Sequence, residues 1–232
     1  MRIAAFFDVD GTLIDSSLGH RFFRHLFAKG EIRVPQIFGL IEYALGLGVR
    51  EPSRVPLENH GYLRGLEHRR YLDLVSEFAA TGIGALVRPV GMDWIEWHRS
   101  RSHRVILISG GRQELVEDFG RGLGVDLAIG TPAETANGRL TGRSATIEPV
   151  AAFKHRRLLE LAATEFIALD ESYFYGDSIG DVRALELVGR PRVVNPGRRL
   201  KRLAVERSWP ILDAGRASIR DSAGMGARRA HN

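Results

Sequence analysis

Cysteine is absent from the 232 residues. That excludes disulfides, thiolate metal sites and a cysteine nucleophile, and it agrees with an expected cytoplasmic setting. Lysine is scarce: Lys29, Lys154 and Lys201 are the only three among 33 basic residues. The eight histidines form no HExxH motif and no i,i+4 pair, so a zinc site of that kind is not expected. Long apolar runs are missing too. The longest, Val34 to Val49, is interrupted by Pro35, Gln36 and Glu42 and falls short of the ~20 residues a membrane span requires. The N-terminal MRIAAFFDVDGT has neither the h-region nor the small-residue cleavage site of a secretory signal. Stable membrane insertion is not expected.

What is present is ordinary for a folded chain: 44% hydrophobic and 26% charged residues. A chain of this length buries about 70% of its unfolded surface, so it needs no covalent staples. The net charge of +5 is unevenly spread. From Arg190 onward there are eleven basic and three acidic residues, a net +8, while the preceding 189 residues hold 22 and 25, a net −3. Basicity confined to one end reads as a solvated face and a loose tail. No aromatic ladder accompanies the arginines, which argues against nucleic acid as a partner.

The apolar pattern alternates between strands and helices. Residues 2–8 read as a buried strand stopped by Asp8 and Gly11. Leu18, Phe22, Phe23, Leu26 and Phe27 mark a helix ended by Gly30. Pro35 opens a second, apolar helix, a loop with Pro52 and Pro56 follows, and Leu72, Val75 and Phe78 mark a third helix. No strand pattern occurs between Ser16 and Val87. Beyond Pro89 the pattern predicts a helix over 91–102 bearing Trp94 and Trp97, a strand over 104–109, a helix over 112–123 and a strand over 127–130. Asn137-Gly138 signals a type I′ hairpin turn. Helices over 153–164 and 179–188 flank a strand at 173–176, and a last strand falls at 192–195. Continuous apolar strands separated by helices predict an α/β fold with a parallel sheet. The predicted core is 1–15 and 89–213, with 16–88 a helical cap inserted after the first strand and 214–232 a disordered basic tail.

In open parallel sheets ligands bind beyond the carboxyl ends of the strands. There the sequence places Asp8-Val9-Asp10-Gly11-Thr12, Ser109-Gly110-Gly111, and Gly176-Asp177-Ser178 with Asp181 following. Lys154 is expected to open the helix before the last of these. Several carboxylates crowded together repel one another. A divalent ion relieves this, and all-oxygen ligands select a hard cation, Mg²⁺ above all. Cation, ammonium and backbone N–H groups together suit a phosphate. A carboxylate, ionised at neutral pH, can then act as nucleophile without an activating base.

DVDGT at 8–12, SGG at 109–111, Lys154 and GDSIGD at 176–181 resemble the four motifs of the haloacid dehalogenase superfamily of phosphohydrolases. The match in order and spacing spans roughly 1–213. SGG together with NGRLTG at 137–142 and the helical insert is similar to the phosphoserine-phosphatase-like branch. The resemblance implies a Rossmann-like core with a mobile cap. It implies Asp8 as the phosphorylated nucleophile and Asp10 as general acid/base. Mg²⁺ would be held by Asp8, the Asp10 carbonyl and Asp177, with Asp181 direct or through water. It also implies Ser109, Gly110 and Lys154, with Gly11 and Thr12, around the phosphoryl group.

Two positions depart from that branch. Ser17 stands where an acidic residue meets the substrate amine, and His60, near Arg64 and Arg54, stands close to the cap arginine for the substrate carboxylate. Phosphoserine is therefore expected to be a poor substrate, with Ser17, His20, His60 and Arg64 as candidates for specificity. The expected activity is Mg²⁺-dependent hydrolysis of a small soluble phosphate ester. A phosphotransferase or mutase on the same scaffold, and a receiver-like phosphoacceptor domain, are the alternatives. The apolar helix 34–49 reads as cap core or as a lid for an apolar ester.

Overall fold

A computed structural model describes residues 1–34, 36–38, 41, 60–146 and 148–214. Most of the expected apolar helix 34–49, the 52–56 loop with Arg54, and the tail from 215 lie outside the described residues. The described elements run β1 (Ala4–Phe7), α1 (Leu18–Ala28), α2 (His68–Ala79), α3 (Pro89–Arg99), β2 (Arg104–Arg112), α4 (Gln113–Leu123) and β3 (Leu127–Thr131). They continue with β4 (Ala133–Ala136), β5 (Arg139–Ser144), α5 (Val150–Thr164), β6 (Tyr173–Gly176), α6 (Val182–Leu185), β7 (Arg190–Val194), α7 (Arg198–Glu206) and β8 (Ile211–Leu212).

Six strands form one sheet in the order β3-β2-β1-β6-β7-β8, and every pairing is parallel. β1 lies inside it, flanked by β2 and β6. Its alternating side chains serve two cores: Ala5 and Phe7 join Val105 and Leu107 under α3 and α4, while Ala4 and Phe6 join Ile106 and Ile108 under α5 and α7. Burial on both faces explains why these strands are continuously apolar. At about 1.5–3 kcal/mol per fully buried large side chain, this double core fixes where β1 ends. Asp8 follows at once, and its N–H donates to the Tyr175 carbonyl at 2.9 Å.

Several expectations are refined. α5 starts at Val150, so Lys154 stands on its second turn rather than opening the helix. The expected 179–188 helix is a 3₁₀ turn, Ile179–Asp181, followed by the four-residue α6. α7 and β8 add a helix and an edge strand that the apolar pattern did not mark. Asn137 and Gly138 both take positive φ, 51° and 73°, as a type I′ turn requires. The hairpin they close stands apart from the main sheet. It pairs instead with the 65–67 segment: Gly65 N–H donates to the Leu140 carbonyl at 2.8 Å and Leu140 N–H to the Leu66 carbonyl at 2.9 Å. That seam holds His60 to Leu63 in place beside the core. Trp94 is buried and stacks on Tyr175; Trp97 packs against the same core with Arg101 over its ring. No helix among the described residues is long and apolar enough to cross a membrane.

Candidate active site

The carboxyl ends of β1, β2 and β6 bring three of the motifs to one edge, and α5 supplies Lys154. Asp8 is 5% exposed, Lys154 3% and Asp181 1%. Lys154 reaches across from α5 and its Nζ donates to Asp8 Oδ1 at 2.5 Å and to Asp181 Oδ1 at 2.6 Å. The other Asp8 oxygen accepts from the Thr12 hydroxyl at 3.0 Å. The other Asp181 oxygen accepts from the Ser178 N–H and hydroxyl, at 3.1 and 2.9 Å. These contacts fix both carboxylates.

Burial pushes the Asp8 carboxyl well up, with Asp181 and Asp177 adding to it against Lys154. Burial, then Asp181, pushes Asp177 up to about 6. Burial works against the Lys154 charge too, but the Asp181 and Asp8 carboxylates outweigh it and hold the ammonium protonated. One ammonium is thus set among three acids. Asp8, Asp177 and Asp181 each offer an oxygen, and these oxygens lie within 4.8 Å of one another. The cradle is shaped for the third acid. Gly11 has φ 86°, and a Cβ on it would lie 2.2 Å from Asp177 Oδ2, so only glycine lets that carboxylate settle against the backbone. An all-oxygen donor set with excess negative charge fits a hard divalent cation.

Asp10 is oriented differently. Its Oδ1 accepts from the Leu18 N–H at 2.9 Å and its Oδ2 from the Ser17 hydroxyl at 3.1 Å. Ser17 is also the N-cap of α1. Asp10 is therefore tied to the first turn of the helix that follows it. Burial raises its pKa, opposed by the Leu18 and Ser17 hydrogen bonds. On β2, buried Ser109 accepts the Gly111 N–H at 3.0 Å, and this leaves its own proton to donate. Gly110 lies against Val150; a Cβ there would come within 2.9 Å of it.

The remaining candidates divide. Ser17 spends its hydroxyl on Asp10, and Thr12 spends its own on Asp8, so each orients a carboxylate. His20 is exposed at the end of the same turn, and its N–H donates to Ser17 Oγ at 3.4 Å. His60 is buried. Arg64 is exposed, with its carbonyl accepting from Gln36 Nε2 at 2.8 Å. Two residues near the site were not among the specificity candidates: Tyr62, buried two positions after His60, and Arg112, buried at the end of β2. The nearest sequence signal was Arg112 directly after SGG.

The sequence profile of the haloacid dehalogenase-like hydrolases matches residues 5–186. Three relatives are similar over most of their length. The inhibition of morphological differentiation protein of Streptomyces azureus is 33% identical, over 91% of this chain and 78% of the relative. A probable phosphatase of Mycobacterium tuberculosis is 31% identical, over 95% and 78%. A phosphoserine phosphatase of the same species is 32% identical, over 90% and 70%. The crystal structure of a protein of unknown function from Bordetella pertussis Tohama I is 26% identical, with a TM-score of 0.74 over 92% of this chain and 99% of that one. With its Rossmann-like parallel sheet and its motifs gathered at one strand edge, the chain belongs to the haloacid dehalogenase-like hydrolases.

Proposed function

We propose that this chain is a Mg²⁺-dependent phosphomonoesterase working through an aspartyl-phosphate on Asp8. The observation that carries the reading is the Asp8 carboxylate at the end of β1, buried and fixed by Lys154 and Thr12 beside two further acids. Phosphatase names among the relatives support it.

An Asp8 oxygen attacks phosphorus, and the bond between phosphorus and the ester oxygen breaks. Asp10 delivers its proton to the departing oxygen; its raised pKa suits it to hold one. Asp10, now a carboxylate, takes a proton from water as that water attacks the phosphorus of the aspartyl-phosphate. Inorganic phosphate leaves and Asp8 is restored. Lys154 offsets charge between Asp8 and the phosphoryl oxygens, and Asp181 holds Lys154 in place. The Ser109 hydroxyl and the Gly110 N–H donate to the phosphoryl group. Thr12 acts through Asp8, and Ser17 through Asp10. Asp8, Asp177 and the Asp10 carbonyl would hold Mg²⁺, which supplies electrostatic stabilisation of the phosphoryl oxygens when bound.

Chelation with EDTA is expected to silence hydrolysis of phenyl phosphate, and Mg²⁺ to restore it. Because burial and Asp181 push the Asp177 carboxyl up to about 6, a proton competes with the ion below that pH. The Mg²⁺ needed for half-maximal rate should therefore climb as pH falls through 6. Full activity in chelator, or a strong preference for Zn²⁺, would refute the hard-cation reading.

Gly11→Ala tests the cradle separately. The added methyl falls 2.2 Å from Asp177 Oδ2 at a φ that L-residues avoid. The expected result is at least a tenfold rise in the Mg²⁺ concentration for half-activation, read by titration. An unchanged midpoint would remove Asp177 from the ion's shell.

A further inference from the structure

Two buried polar atoms lie in the short turn at His60–Leu63. Tyr62 is 4% exposed and His60 8%, yet neither Tyr62 Oη nor His60 Nδ1 has a hydrogen-bond partner among the described residues. A buried polar group left unpaired costs about 1–3 kcal/mol, so a pair within three residues calls for an explanation. Their position supplies one. Tyr62 Oη and Ser17 Oγ flank Gly19: a Cβ there would lie 3.9 Å from the first and 3.6 Å from the second. Ser17 Oγ in turn donates to Asp10 Oδ2. The tyrosine hydroxyl is thus one side chain removed from the group assigned to protonate the departing oxygen.

The character of this corner is that of a donor. The Tyr62 hydroxyl has a proton to give, as has a neutral His60 in the tautomer protonated on Nδ1. Burial, and then the Arg112 guanidinium, keeps His60 well below its usual pKa and so neutral. The same guanidinium acts on Tyr62. Of the two charges that act on Tyr62, the Arg112 guanidinium outweighs the Asp10 carboxylate, which favours an anion over an ammonium.

We infer that Tyr62 and His60, with the Arg112 charge beside them and Gly19 leaving the room, seat an oxyanion carried by the leaving group of the substrate. The inference rests on the phosphatase reading and narrows it to esters whose alcohol bears a carboxylate or a second phosphate. Tyr62 is then the residue that sets specificity, and Gly19 keeps its neighbourhood open.

The test uses the full chain with Mg²⁺ and four esters: phenyl phosphate, phosphoglycolate, propane-1,3-diol bisphosphate and phosphoethanolamine. The wild type should favour phosphoglycolate or the bisphosphate over phosphoethanolamine at least tenfold in kcat/KM, and the two anionic arms tell a carboxylate from a second phosphate. Tyr62→Phe should cut that preference about tenfold, through KM rather than kcat. Gly19→Ala, which adds a methyl between the two hydroxyls, should move the ratio in the same direction. Calorimetric binding of the same esters to Asp8→Asn protein gives the ratio without turnover. A ratio unmoved by Tyr62→Phe in both measurements, or a wild type that prefers phosphoethanolamine, overturns the inference. Failure to hydrolyse phenyl phosphate strikes the phosphatase reading instead, and the binding ratio still decides this one.

Discussion

Asp8→Asn is expected to lower kcat for phenyl phosphate by at least 10³-fold, about 4 kcal/mol at 1.36 kcal/mol per decade. The amide keeps the shape and removes the proposed nucleophile. Its oxygen can still accept from Thr12, and Lys154 still has Asp181. The fold should therefore persist. In ion-free protein the melting temperature should hardly fall, because burial and the neighbouring acids already oppose the Asp8 charge. The rise in melting temperature on adding Mg²⁺ should shrink, since one ligand has gone. Asp10→Asn makes the useful contrast. With an activated aryl ester the first transfer needs little protonation, while the second needs a base. Phosphorylated protein should then accumulate in Asp10→Asn and be absent from Asp8→Asn. A residual rate above about a tenth of wild type in Asp8→Asn, a loss under 1.4 kcal/mol, would mean that another group attacks phosphorus.

Much of this arrangement was legible in the chain, for physical reasons that also mark where legibility stops. AAFF, RVILIS and YFYG are buried strand segments, so apolar continuity reveals them; Asp8 and Asp177 directly follow β1 and β6, whereas β2 runs on through Gly110 and Gly111 to Arg112. That rule placed Asp8 and Asp177 just past strand ends; it also ended a strand at Ser109, which lies inside β2. Elements with thin apolar signals were missed. α7 buries only Leu200 and Ala204 beneath a run of arginines, and β8 is two residues long. Leu72 was counted toward a helix face, yet it points outward; Tyr71, Leu74, Val75 and Phe78 form the buried side of α2.

Side-chain direction was the other limit. Nothing in the spacing of Thr12 or Ser17 says that their hydroxyls turn back to Asp8 and Asp10. Tyr62 and His60 are buried because a hairpin more than seventy residues later pairs beside them. That is a long-range consequence of the fold, and no local pattern carries it.

Lys154→Arg is expected to lose 10²–10³ in kcat, the about 2.7–4 kcal/mol typical of removing one preorganised stabiliser, although the charge is kept. Nζ sits between Asp8 and Asp181 at 2.5 and 2.6 Å, in a space almost closed to solvent. A compact ammonium can donate to both carboxylates and still present a third proton to an incoming phosphoryl oxygen. A guanidinium is planar, bulkier and fixed in its donor directions. It would have to push Asp8 away from the line of attack, where reacting atoms must approach within about 3–3.5 Å. The charge matters as well as the shape. At 4 Å two unit charges repel by about 4 kcal/mol at an effective dielectric near 20, and the carboxylate and the phosphate must come closer than that. Lys154→Met should therefore lose more activity than Lys154→Arg. It should also weaken the ion-free fold by about 3–5 kcal/mol, because two buried carboxylates are left facing each other without their cation. Mg²⁺ should recover much of that stability, since it enters the same cluster, but not the rate. Thermal melts with and without Mg²⁺, set beside kcat, separate the two roles. Wild-type turnover in Lys154→Arg would show that the ammonium is not needed between nucleophile and phosphate. Arg112, three residues after Ser109 and buried at the end of β2, would then be the next cation to replace.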